Sequence, residues 1–179
     1  LVELISRADA DAILQINLDD GQVCTLENES LNADSAASFQ LSAALDELAI
    51  QATVEGFQTW LRVDTEYRGE LLLDRATAEG LDLTAAEFLG DNSQLEASAF
   101  FVEFVGSLKL GETELRNVET DIPLLEVPYD HYANRGPKPA LSAPEAEFLT
   151  VGSLGEAILE DVIITVDIAK QLIAVTDAE

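Results

Sequence analysis

The chain has 179 residues, 47% of them hydrophobic and 25% charged, enough apolar material to bury the core of one domain and too much for an intrinsically disordered acidic segment. Asp and Glu number 35 against 9 Lys and Arg, a formal net charge of −26 at pH 7, so the acidic groups belong on the outside of a folded body. Such a surface repels phosphate backbones and anionic lipid heads, which excludes nucleic acid and a membrane surface as expected partners and leaves neutral or cationic ones.

Taken in chain order, short alternating or apolar runs bounded by turn residues predict strands over 12–18, 22–26, 48–54, 59–63, 70–73, 97–110, 114–125, 162–166 and 172–176. Asp19-Asp20-Gly21, Glu55-Gly56 and Gly111-Glu112 lie between them as tight-turn signals, because Gly takes the positive φ that a two-residue hairpin demands. A short helix is predicted over 74–79, with Asp74 capping its free amides and Gly80 ending it in a left-handed conformation. A second helix is predicted over 156–160.

Two stretches depart from the hairpin pattern. Residues 126–147 hold Pro128, Pro137, Pro139 and Pro144 and have no period, which predicts a long surface loop of the kind that borders a cleft. Residues 1–45 combine a hairpin across Asp19 to Gly21 with the polar stretch ENESLNADSAAS, read as a connector, and are expected to form an N-terminal extension to a main domain over 46–179. Leu1 opens a chain with no Met anywhere, which reads as a trimmed start and leaves the compartment open. No apolar run approaches the roughly 18 residues of a membrane span, so no membrane contact is expected within this chain.

The segment around Asp64 carries the chemical signal. An Asp-Thr pair at the end of the apolar strand 59–63 can place a carboxylate in a cleft while the Thr hydroxyl bonds neighbouring backbone. Other candidates are weaker. Cys24 is the single cysteine, so it offers neither an intrachain disulfide nor zinc-ligand spacing and is expected as a small core or strand residue. His131 stands alone on the Pro-rich loop without the Ser, Cys or second His that nucleophilic or metal chemistry requires. Asp9-Ala10-Asp11 and Asp19-Asp20-Gly21 lack the ligand spacing of a calcium loop, so no metal site and no cofactor are expected. Asn28-Glu29-Ser30 fits the glycosylation acceptor pattern, which short sequences match by chance. Phe100, Phe101, Phe104 and Trp60 are expected in the core or at a dimer contact, and Tyr67 is expected to pack on a neighbouring strand.

With its flanks, the segment Asp64-Thr65-Glu66-Tyr67-Arg68-Gly69 followed by the helix end Gly80-Leu81 resembles the first half of a retropepsin-like aspartic peptidase. Leu108-Lys109-Leu110-Gly111 through Leu115 and Asn117-Val118 resembles a hairpin of small members, and Ser153-Leu154-Gly155 with Val162 to Asp167 resembles the pseudo-symmetric second half. The resemblance spans residues 48–175. It implies an all-β, closed-barrel-like fold with a short helix and pseudo-two-fold halves, one catalytic Asp64 per chain, and a homodimer in which two such carboxylates share one proton. It further implies that Thr65 braces the two turns against each other, that a flap with Gly90, Asp91 and Asn92 at its tip covers the substrate, and that Gly155 supports the second-half turn. Glu66 stands where the family has Gly, adding bulk and a third carboxylate, with Arg62 or Arg68 the candidates to neutralise it. The leading expectation is an endopeptidase acting on a peptide or protein substrate. The alternative is a catalytically inactive module of the same fold that binds peptides or dimerises.

Overall fold

The computed structural model describes residues 1–27, 30–42, 47–83, 100–123 and 150–177. The chain is mostly β. In chain order the elements are α1 (Val2–Arg7), β1 (Ile13–Asn17), β2 (Gln22–Thr25), β3 (Ala37–Ser42), β4 (Glu47–Val54), β5 (Phe57–Val63), β6 (Leu71–Leu73) and α2 (Arg75–Gly80). There follow β7 (Phe100–Val105), β8 (Leu108–Leu110), β9 (Thr113–Leu115), β10 (Val118–Pro123), β11 (Gly152–Leu154), α3 (Glu156–Glu160), β12 (Val162–Asp167) and β13 (Leu172–Asp177). Among the described residues no helix is long and apolar enough to cross a membrane.

Turn chemistry decides where the strands reverse. Between β4 and β5, Glu55 and Gly56 both take positive φ, 48° and 82°, the geometry whose twist matches that of the flanking strands. The predicted run 97–110 divides into β7 and β8 at Gly106-Ser107, where the Glu55 carboxylate accepts from both amides. The run 114–125 likewise divides at Asn117, which adopts φ 55°. Gly80 is a correction: it is the last residue of α2 and does not adopt a left-handed conformation, which falls instead to Asp82 at φ 55°. The Asp74 cap forms as expected, accepting from the Thr77 amide at 2.7 Å.

Strand pairing runs β2-β1-β12-β13-β3-β4-β5-β11-β6-β10-β7, with the β8–β9 hairpin attached to β4 through β8. Among the described residues this path has two ends, β2 and β7, and does not close on itself. β3 begins inside the stretch expected to be a connector, and joins β13 at Ala37 and Ser38 to β4 at Phe39 through Ser42. β1 lies along the other side of β12, so the N-terminal strands are hydrogen-bonded into the sheet of the C-terminal hairpin. Ile5 of α1 and Phe39 of β3 are buried in the same apolar cluster as Leu48, Ile50, Leu61 and Ile173. Each such Leu, Ile or Phe contributes about 1.5–3 kcal/mol by leaving water.

The centre of the sheet has a local two-fold relation. β6 and β11 are antiparallel, with Leu72 opposite Ser153. β5 runs parallel beside β11, with Arg62 opposite Ser153, and β10 runs parallel beside β6, with Asp121 opposite Leu72. Each inner strand then leads to a short helix, N-capped by Asp74 in one half and Gly155 in the other. A half-turn about the Leu72–Ser153 pair exchanges β6 with β11, β10 with β5 and Asp74 with Gly155; it carries Asp121 onto Arg62 and Pro123 onto Asp64.

Two residues for which the core was one of the expected places lie outside it. Cys24 is on a strand but exposed, since β2 ends the sheet and all four of its residues face solvent. Phe104 is 58% exposed, because the alternation of β7 turns Val105 inward and leaves Val102 and Phe104 outside.

Candidate active site

Side chains directly opposite one another in a ladder share a face of the sheet. The registers therefore align Ala49, Arg62, Ser153, Leu72 and Asp121 in one row across β4, β5, β11, β6 and β10. The opposite face carries the apolar row Val63, Leu154 and Leu71. Asp64 follows β5 by one residue, and strand alternation puts it on the face of Arg62.

Asp64 is held on three sides. Its amide donates to the Leu154 carbonyl at 2.9 Å, which extends the β5–β11 ladder into the turn. Its Oδ1 accepts from the Glu66 amide at 3.1 Å, and its Oδ2 accepts from Arg62 Nη2 at 2.5 Å. The Arg62 side chain is only 4% exposed and also approaches Glu47 Oε1 through Nη1 at 3.7 Å. A guanidinium taken out of water costs several kcal/mol unless carboxylates compensate it, so Arg62, Asp64 and Glu47 act as one charged unit.

Turn residues beyond Asp64 divide between solvent and structure. Thr65 and Glu66 are exposed. Tyr67 folds back across the crossing: its hydroxyl donates to Asp121 Oδ2 at 2.7 Å, and its carbonyl accepts from the Glu156 amide at 2.7 Å. The expectation that Tyr67 packs on a neighbouring strand holds, with a hydrogen bond to β10 added. Gly155 is where backbones meet. A methyl group there would overlap the Gly69 carbonyl oxygen and come within 2.6 Å of Tyr67 Cδ1 and 2.8 Å of the Tyr67 carbonyl oxygen. Its amide donates to the Glu70 carbonyl at 2.8 Å.

The structure thus brings Asp64, Thr65, Glu66 and Gly155 into one neighbourhood. Gly90, Asp91 and Asn92, the expected flap tip, lie outside the described residues, as does His131 on the Pro-rich loop. Arg62 does not pair with Glu66 as one reading of the sequence had it. It pairs with Asp64 because positions two apart on a strand face the same way, whereas Glu66 lies beyond the strand in a solvent-facing turn. Sequence reasoning missed Glu47 as a neighbour of the site and had Ser153 only as part of the second-half turn. Alternation along β5 was enough to join Arg62 to Asp64, but the other two come beside Arg62 only through pairing with β4 and β11. Ser153 is fully buried in the row, and its Oγ has no hydrogen-bond partner among the described residues.

No protein-family model and no curated protein matches this sequence. Among solved structures the chain is similar to a retropepsin-like aspartic protease from Rickettsia conorii, with 17% identity and a TM-score of 0.44, over 80% of this chain and 91% of that one.

Proposed function

We propose that the chain is one subunit of a retropepsin-like aspartic endopeptidase, its barrel and cleft completed by a second copy, with Asp64 supplying one of the two carboxylates. The observation that carries this reading is the placement of Asp64. It stands where β5 leaves the crossed central strands, with its amide tied to Leu154 of the opposing half. The two-fold counterpart of Asp64 within the chain is Pro123, so the position equivalent to Asp64 in the other half carries no carboxylate. A proton-sharing pair therefore calls for a second chain. In the pair, like charges a few ångströms apart cannot both ionise; one carboxylate takes a proton from water as the water attacks the peptide carbonyl, while the other donates to the carbonyl oxygen. Thr65 would brace the two turns, the segment holding Gly90, Asp91 and Asn92 would cover an extended peptide, and no cofactor is needed. We read residues 1–45 as an extension to the peptidase domain over 46–179.

A second reading, a non-catalytic peptide-binding or dimerisation module of the same fold, is favoured by the Arg62–Asp64 ion pair and by Glu66 at the turn. The two separate in one experiment. A pool of unstructured peptides is incubated with the chain and with Asp64→Asn from acid to neutral pH, while sedimentation reports the oligomeric state. Cleavage by the dimer that is lost in Asp64→Asn supports the peptidase. A folded dimer that cleaves nothing supports the module, and a strict monomer defeats the two-chain mechanism.

A further inference from the structure

The charged unit beside Asp64 has a consequence for the proposed activity, and the inference rests on the reading of Asp64 as a dyad carboxylate. Both oxygens of Asp64 already accept a hydrogen bond, Oδ1 from the Glu66 amide and Oδ2 from the Arg62 guanidinium. The second is charge-assisted, made at 2.5 Å by a side chain that is 4% exposed. An oxygen engaged in that way is a poor partner for the proton that a dyad must share. Arg62 has little freedom to leave, because β5 fixes its backbone between β4 and β11, and Glu47 holds its other terminal nitrogen from the β4 side.

We infer that Arg62 is a built-in counter-ion latch on Asp64, a positioning residue that withholds the carboxylate from proton sharing and sets the basal activity of the site low. Arg62, Asp64 and Glu47 form the latch. Arg62 is buried and Asp64 largely so, and added salt screens such a pair far less than exposed charges and leaves it closed. A Lys at position 62 keeps the charge and the latch. An apolar residue there opens it, and removing the Glu47 charge as well keeps the sheet stable, since two carboxylates deprived of their common cation repel each other.

The test uses the full chain as wild type, Arg62→Lys, Arg62→Leu and Arg62→Leu with Glu47→Gln, each confirmed folded by thermal unfolding. The double variant keeps the question answerable where Arg62→Leu alone unfolds. The probe is a nitrophenyl glycidyl ether, located by peptide mass spectrometry. An Asp64 oxygen attacks an epoxide carbon, the C–O ester bond forms as the ring C–O bond breaks, and the released alkoxide takes a proton from water. The latch predicts that Asp64 esterification rises about tenfold in the Leu variants, the change that about 1.4 kcal/mol of lost pairing gives, and stays near wild type in Arg62→Lys. It predicts in parallel that kcat for peptide cleavage rises while KM holds, a split that a purely structural role would not produce. Equal esterification in all folded variants overturns the latch, whatever the cleavage result. Esterification released without cleavage in any variant upholds the latch and removes the peptidase reading.

Discussion

Gly155→Ala is the substitution whose cost the structure specifies most fully. The added methyl would overlap the Gly69 carbonyl oxygen and stand 2.8 Å from the Tyr67 carbonyl oxygen, whereas real Cβ atoms keep at least 3.0 Å from their neighbours. These are backbone atoms and cannot rotate away, so the start of α3 must retreat from the Asp64 turn. The retreat works directly against two hydrogen bonds, Gly155 to Glu70 at 2.8 Å and Glu156 to Tyr67 at 2.7 Å. Overpacking costs about 1–3 kcal/mol and each weakened hydrogen bond about 1, which places the loss at about 3–5 kcal/mol. For a chain of this size that lowers Tm by about 10 °C. Gly80→Ala is the matched control, because no atom lies within 4 Å of its added methyl and its φ is not positive. At the end of α2 it gains up to about 1 kcal/mol from reduced chain entropy. Urea and thermal unfolding of both variants beside wild type read the difference. A Gly155→Ala protein within 1 kcal/mol of wild type would refute the tight crossing, and with it the account of how α3 is seated against the Asp64 turn.

Two further expectations concern residues away from the crossing. Asp167 is buried and accepts from the Leu31 amide at 3.2 Å and the Lys170 amide at 3.1 Å, so it pins the N-terminal connector to the β12–β13 hairpin. Asp167→Ala is expected to cost about 2–4 kcal/mol by orphaning both donors, and faster amide exchange at Leu31 is the local check. The Glu114 carboxyl is held below its ordinary value, first by the Ser107 hydroxyl at 2.7 Å and then by Arg116. A depressed carboxyl contributes stability above its unfolded value and loses it as pH falls through the folded one, so the effect disappears on acidification below the ordinary carboxylate range. Ser107→Ala should move the Glu114 titration upward in an NMR pH series, and an unmoved titration would refute the assigned cause.

The parts of the fold that the sequence made legible are those set by local rules. The Glu55-Gly56 turn, the Asp74 cap and the helix after Gly155 follow from positive φ, amide capping and period, and each is present. β3 was not legible because ASFQLS follows a polar stretch with no intervening turn signal, and its strand character comes from pairing on both sides, with β13 and β4. α1 is a similar case: six residues are too few to be helical alone, and burial of Ile5 supplies what the local sequence does not. The division of the long apolar runs into β7–β8 and β9–β10 also came from tertiary context, through the Glu55 carboxylate and the left-handed Asn117.

For the site, the same distinction separates position from chemistry. Asp64 was proposed from an Asp-Thr pair at a strand end, a local pattern, together with the resemblance of its flanking segments. Its electrical surroundings were not local, since they depend on which residues five adjacent strands place in one row. In a chain of net charge −26, an apolar residue at position 62 would leave Asp64 and Glu47 facing each other across β4 and β5 without a cation between them. Arg62 resolves that repulsion within the chain, and in the dimer proposed above the same contact would oppose proton sharing. Under the proposed two-chain mechanism, stability of the single chain and competence of the paired carboxylates therefore pull on one guanidinium in opposite directions. That opposition makes position 62, more than the exposed Glu66, the residue on which the choice between a working peptidase and a silent fold turns.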